Sequence, residues 1–270
     1  MTLTKHHGLG NDFLIAVDAD RPLGPEHAVR WCHRRRGIGA DGLIALHPTD
    51  HPKRWSMQLW NADGSVAELS GNGLRCVGQA LLLHHDPGGS TSEFRIETAA
   101  GPRVVLVQPD RDSDTDLVTV DMGVPKVGPP PSPRWPSLGL EPNAQTGVDM
   151  GNPHLVALFD DIRAIDIASV GPAIESDYAQ GLNVHVASVT SHGGIDMRIW
   201  ERGVGATDAC GTGACAAAWA ANQWQMVGDK VEVEMPGGTA LVEIDGEHVV
   251  LTGPATFVGL VEVTVESESP

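Results

Sequence analysis

Two short segments carry residues fit for chemistry: Ser70-Gly71-Asn72-Gly73 and Cys210-Gly211-Thr212-Gly213. In each, a hydroxyl or thiol residue precedes Gly-x-Gly, and the sequence that follows is apolar and rich in good helix formers. Glycine at a helix start lets a ligand come close to the backbone, and the free N–H groups of the first turn form an anion site. Two such starts converging on one carboxylate would leave residues 70 and 210 beside its α-carbon, one on each face. Inverting an α-carbon needs that arrangement, because one face loses a proton while the other gains one. A thiolate at a helix N-terminus, its pKa lowered, serves as base while its opposite number serves as acid. Helix dipoles and N–H donors stabilise the charge that develops on the carboxylate. No pyridoxal lysine is required, and the chain has only four lysines, at 5, 53, 126 and 230.

Either loop alone is commonplace, and a cysteine in an apolar helix is more often packing than catalysis. The matched pair is what carries the reading. Neither loop is a nucleotide fingerprint: SGNGLRC lacks the Gly-Lys-Ser/Thr end of a P-loop, and HHGLGNDF lacks the third glycine of a dinucleotide turn.

The elements that would hold these loops are legible. Residues 71–85 and 211–224 read as helices apolar nearly all round, interrupted only by Arg75, and such helices are surrounded by protein. Apolar, β-branched runs at 103–107, 117–122, 154–159, 182–189, 195–200, 230–235 and 248–251 read as strands. Residues 125–142 carry seven prolines and read as a linker between roughly equal halves.

The halves resemble one another. Trp60 and Trp200 stand 140 residues apart, as do Ser70 and Cys210, and at the same offset Met57 meets Met197, Gly73 meets Gly213 and Ala80 meets Ala220. Asn11-Asp12-Phe13-Leu14-Ile15 also resembles Asn152-Pro153-His154-Leu155-Val156. This predicts an α+β fold of two pseudo-symmetric domains from an internal duplication, each a mostly antiparallel sheet or barrel wrapped around a central helix. The expected domains are 1–120, completed by the C-terminal strand near 257–270, and 121–256, with 125–142 near the junction. An open α/β sheet fits worse, since helices are too few for the strands.

Composition limits the function classes. A net charge of −17, from 18 basic and 35 acidic residues, repels phosphate backbones, so nucleic acid is not an expected partner. No apolar run is long enough to span a membrane, and MTLTKHHGLGNDF lacks the apolar core of a secretory signal, so a cytoplasmic location is expected. Cysteines 32, 76, 210 and 215 are too few for a disulfide scaffold and do not pair as zinc knuckles. No metal is expected, despite twelve histidines.

The residues themselves resemble a known family. HGLGNDF (7–13), RRRGIGADGL (34–43), NADGSVAELSGNGLRC (61–76), GNPHLV (151–156), LNVHV (182–186) and WERGVGATDACGTGACAAA (200–218) are similar to diaminopimelate epimerase, of the lysine and peptidoglycan pathway, over nearly the whole chain. The resemblance implies two pseudo-symmetric α+β domains with the active site in the cleft between them, no cofactor or metal, a small amino-acid substrate and a homodimer. It implies that Cys210 is one of two catalytic residues. Gly71, Asn72, Gly211 and Thr212 would cradle the carboxylate at the reacting centre, helped by Asn11. Asn61, Asn152, Asn183 and Arg202 would hold the distant carboxylate, Glu201 would receive an ammonium group, and His154 would sit beside the catalytic pair. A guanidinium suits bidentate carboxylate binding, which agrees for Arg202; the asparagines read equally well as turn formers.

The departure lies at position 70, where the family has the second cysteine and this chain has Ser70. A serine hydroxyl is far less acidic than a thiol and needs a separate base. Cys76, six residues on, should point away from the helix start. Three readings stay open: a serine introduced to trap the enzyme or block a disulfide with Cys210; a serine natural to a subfamily, relaying a proton from water or His154; or one-base chemistry, such as β-elimination or allylic isomerisation by a related dehydratase or isomerase. A related racemase and a non-catalytic amino-acid binder are further alternatives. Ala206 also stands where the family usually has Glu.

Overall fold

The computed structural model describes residues 1–86 and 89–264. In the first part of the chain the elements are β1 (Thr2–Gly8), β2 (Asn11–Val17), α1 (Pro25–Cys32), β3 (Gly42–Pro48), β4 (Arg54–Asn61), α2 (Gly71–His85), β5 (Ser92–Thr98), β6 (Gly101–Gln108) and β7 (Thr115–Asp121). There follow β8 (Lys126–Val127), β9 (Ala144–Asp149), β10 (Pro153–Leu158), α3 (Ile167–Glu175), β11 (Asn183–Val189) and β12 (Ile195–Glu201). The chain continues through β13 (Gly205–Thr207), α4 (Gly211–Gln223), β14 (Lys230–Met235), β15 (Gly238–Asp245) and β16 (His248–Glu262). Two compact units result, one of residues 1–69, 73–118 and 254 onward, the other of 70–72 and 119–253. Of the C-terminal stretch expected near 257–270, residues 265–270 lie outside the described residues.

In the first unit, β1 to β7 pair in sequence order and the later part of β16 lies against both β1 and β7, closing an eight-stranded barrel. The α2 helix runs along its inner layer. Gly78 shows how tight the fit is, since a Cβ there would stand 2.6 Å from Val105 Cγ1 and 2.9 Å from Val107 Cγ2. Buried His6 of β1 ties the helix to the wall, its Nδ1 bonded to Gln79 Oε1 at 2.8 Å. Outside the barrel, Ala28, Trp31 and Cys32 of α1 pack with Leu14, Leu43 and Trp60.

The second unit repeats the plan. Its sheet runs β16-β15-β14-β12-β11-β10-β9-β8, with β13 beside β12. Alanines 214, 216, 217, 218, 220 and 221 make α4 slim enough to be buried on every side. Outside, Val170 and Ile174 of α3 pack on Leu155, Val184 and Val186, and a Cβ at Gly171 would stand 2.3 Å from Trp200 Cγ. Trp60 and Trp200, the landmarks of the repeat, thus both lie beneath an outer helix. Strands β10 and β11 are covered on both faces, which is why they read as unbroken apolar runs.

The sheets are mostly antiparallel, as the sequence predicts, with four parallel junctions: β2–β3, β4–β5, β10–β11 and β12–β14. Each is bridged by one of the four α-helices among the described residues. Parallel neighbours need a long crossover, so each unit has one crossover helix inside and one outside.

The Pro-rich segment is not a free linker. Trp135, 1% exposed within a 3-10 turn over Trp135–Leu138, packs on Phe159 and donates its Nε1–H to Gln145 Oε1 at 2.9 Å. Proline denies the segment a ladder of its own, yet the indole gives it a place in the second unit's core. The outer helices α1 and α3 were not anticipated. Pro172 inside α3 hides it from a helix reading, although Asp166 caps its start by accepting from Ala168 N.

Candidate active site

Alternation along β12 puts Glu201 on the same face as buried Ile195, Met197 and Ile199, the face toward α4. Cys210 is the N-cap of that helix, and its Sγ accepts the backbone N–H of Gly213 at 3.3 Å and lies 3.5 Å from Thr212 Oγ1. A hydroxyl–carboxylate hydrogen bond of 2.6 Å, from Thr207 Oγ1 to Oε1, steadies Glu201.

Burial first, and then the negative charge of Glu201 with its hydrogen bond to the thiol, push the Cys210 pKa well above its ordinary value, against the lowering by Thr212 and the Gly213 N–H. This corrects the expectation of a ready thiolate. Two partial positive sources at a helix start do not offset full desolvation beside a carboxylate. Burial and Glu201 thus favour the thiol over the thiolate at position 210, with Glu201 as its neighbouring acceptor.

Residues 70–72 belong to the same unit as Cys210. A Cβ on Gly211 would stand 3.0 Å from Gly71 Cα and 3.1 Å from Asn72 N; one on Gly71 would meet Gly211 Cα at 3.2 Å. The two loops touch backbone to backbone there, and Asn72 locks the contact by donating Nδ2–H to Ala209 O at 3.1 Å. Ser70 is half-buried at the entry to α2. Cys76, fully buried within α2, has its pKa pushed up to about 12 by desolvation.

His154 and His185 are neighbours on the inner face of β10 and β11, both 0% exposed. Their rings stack, with His154 Nδ1 2.8 Å from His185 Nε2, and His154 Nε2 lies 2.8 Å from Asn152 Oδ1. Asn152 Nδ2 faces Thr212 Oγ1 at 3.5 Å. Burial lowers both imidazole pKa values, His185 to about 3 and His154 well below its ordinary value, the latter helped by His185 and the charge of Arg202. With Cys210, the histidines bring three potential metal-ligand atoms within 4.8 Å of one another. Two nitrogens on one tetrahedral zinc would stand about 3.3 Å apart, so the 2.8 Å pair reads as a hydrogen bond.

Asn183 is committed to the backbone: it donates Nδ2–H to Pro153 O at 3.0 Å and accepts the Arg202 N–H at 3.0 Å. It fixes the turn that carries Arg202, whose guanidinium also reaches Gln180 O at 3.5 Å. Ala206 is exposed on β13, opposite Trp200.

Asn11 and Asn61 stand in the first unit. Asn61 donates to Ser65 Oγ at 2.9 Å, and Asn11 donates to Asp41 Oδ2 at 2.8 Å. Asp41 in turn pairs with Arg34 at 2.6 Å, and Arg34 pairs with Asp12 at 2.8 Å. Burial pushes the Asp12 carboxyl up, but the bonds from Arg34 and Lys5 outweigh it and hold it below its usual range. Arg34, Asp41 and His185 were missed as supporting residues. For Asp41 and His185 the signal was a polar residue within an otherwise glycine-rich or apolar run; Arg34, first of three consecutive arginines, carries no such mark.

The fold is shared with solved amino-acid epimerases and racemases. A hydroxyproline epimerase from Agrobacterium vitis matches with a TM-score of 0.75 at 17% identity, covering 99% of this chain and 93% of that one. A probable proline racemase from Agrobacterium radiobacter K84 matches at 0.74 and 19%, covering 100% and 94%.

The sequence narrows the class. The model of the diaminopimelate epimerase family matches residues 3–127 and 146–258. A diaminopimelate epimerase of Synechococcus sp. (strain JA-3-3Ab) is 39% identical over 277 residues, 94% of this chain and 95% of the relative. One of Bacteroides thetaiotaomicron is 39% identical over 264 residues, with the same coverage. The chain belongs to the diaminopimelate epimerase family and is an isomerase.

Proposed function

We propose that the chain converts LL-diaminopimelate to meso-diaminopimelate without cofactor or metal, with Cys210 as one acid/base and Ser70 in the place of the other. The backbone contact of Gly71 with Gly211, beside the Cys210–Glu201 pair, is the observation that carries this reading. It supports one carboxylate site for the N–H groups of residues 71, 72, 211 and 212, flanked by Ser70 and Cys210.

Glu201 takes the Cys210 proton as substrate enters, and the thiolate removes the α-proton. Negative charge then builds on the carboxylate and its α-carbon, where the loop N–H groups stabilise it. Ser70 relays a proton from water to the other face, and the hydroxide this leaves is neutralised by the proton held on Glu201. A free alkoxide is not accessible to Ser70 near neutral pH, so proton transfer on that face is slow in either direction and limits inversion. Arg202, on the turn that Asn183 fixes, and Asn152 select the distant carboxylate, and Glu201 also meets the ammonium group.

Substrate incubated in deuterated water tests this: α-deuterium should enter faster than the second isomer forms, and neither deuterium nor isomer would overturn it. Ser70 also favours a second reading, one-base elimination or isomerisation, which the same samples would reveal as a keto or unsaturated product.

A homodimer in the cytoplasm fits the remaining features. Val258 and Leu260, alternate residues of β16, are 55% and 69% exposed on the first unit, an apolar stripe suited to a second copy. All four cysteines are free thiols, suited to a reducing compartment. Sedimentation of the wild type against Leu260→Asp checks the dimer.

A further inference from the structure

Asn152, His154 and His185 form a hydrogen-bonded line whose direction can be worked out. Asn152 Oδ1 only accepts, so the proton on His154 sits on Nε2. A neutral ring so protonated offers Nδ1 as an acceptor, and the 2.8 Å contact then requires the His185 proton on Nε2. His185 Nδ1 is left bare, buried and without a hydrogen-bond partner among the described residues. The opposite direction would put an N–H at that atom, and an orphaned buried N–H is the rarer and costlier case. It would also turn the Asn152 amide, aiming Oδ1 at Thr212 where Nδ2 now points.

We propose that His185 is a positioning residue: by donating Nε2–H to His154 it fixes the proton on that ring, and through it the face that Asn152 shows to substrate. The inference rests on Asn152 being the substrate-binding residue argued above. A carboxylate accepts and never donates, so Nδ2 toward it attracts while Oδ1 toward it repels. At 3.5 Å the contact of Nδ2 with Thr212 is long, leaving that N–H available to a carboxylate while Oδ1 stays on His154. Both rings stay singly protonated, because burial holds their pKa values low. Gly213 makes room for the device: a Cβ there would stand 2.4 Å from His185 Cε1 and 2.7 Å from Nε2. The second glycine of the Cys210 loop therefore serves His185 rather than a ligand.

Long-range 1H–15N correlation spectra of the intact wild type read the tautomers without substrate or substitution. His154 and His185 should both be protonated on Nε2; a proton on His154 Nδ1 overturns the proposal, whatever the activity. Kinetics then test the consequence. His185→Gln keeps a donor near Nε2 and should stay within about threefold of wild type. His185→Leu should raise KM for diaminopimelate about tenfold, the size of one weakened bond to a charged group, with kcat changed far less. Combined with Asn152→Ala, His185→Leu should add no further rise. Equal loss in the Gln and Leu variants, or additive effects with Asn152→Ala, would refute it. Correct tautomers in a protein that neither binds nor exchanges diaminopimelate would instead refute the assigned function.

Discussion

Gly71 and Gly211 meet so closely that a methyl group on Gly211 would stand 3.0 Å from the α-carbon of Gly71. The same methyl would lie 2.9 Å from Leu251 Cδ2, so no side is open. Gly211→Ala should cost roughly 1–3 kcal/mol by overpacking and lower α-proton exchange more than its stability loss explains. Gly228→Ala is the control, since a Cβ there meets nothing within 4 Å. Denaturant melts and exchange rates, measured together, give both readouts.

Ser70→Cys restores a group that can act as base as well as acid. Epimerisation should rise by about 10²-fold or more, the usual worth of one positioned acid/base, while exchange driven by Cys210 changes little. Chiral separation beside deuterium incorporation checks it. An unchanged inversion rate would mean that Ser70 does not limit the reaction.

Glu201→Gln removes the charge that, after burial, most raises the Cys210 pKa. Thiolate absorbance should therefore appear at lower pH than in the wild type. Exchange of the α-proton should nevertheless fall, because the thiol loses its proton acceptor. The two measurements moving in opposite senses distinguish an acceptor from a group that only tunes the thiol.

Burial holds His6 at about 4 and His185 at about 3, with His154 also well below its ordinary value. Each ring is neutral in the fold and titrates near 6.5 once unfolded. The unfolded chain thus binds more protons between those values, and stability falls as pH drops from about 6.5 toward 4. Each ring contributes on the order of 1 kcal/mol per pH unit in that window. His185→Gln should flatten the slope by about one proton, read from urea melts across pH.

Some of this architecture needs no coordinates. The 140-residue offset, the inner helices at 71–85 and 211–224 and most strands are local patterns of period and composition, and the structure reproduces them. The sequence also marks Cys210 and exposes Ser70 as its unequal counterpart. The outer helices escape because Pro172 and short length weaken the local signal, and the Pro-rich segment misleads because its anchor is a single buried indole.

What only the tertiary structure decides is the chemical state of the groups. A helix start alone argues for a thiolate at position 210; burial beside Glu201 shifts the balance toward the thiol. Glycine 213 alone argues for a ligand; the ring of His185 explains it. Protonation and close approach depend on neighbours brought from other strands and on the exclusion of water, and neither is written in the spacing of residues along the chain.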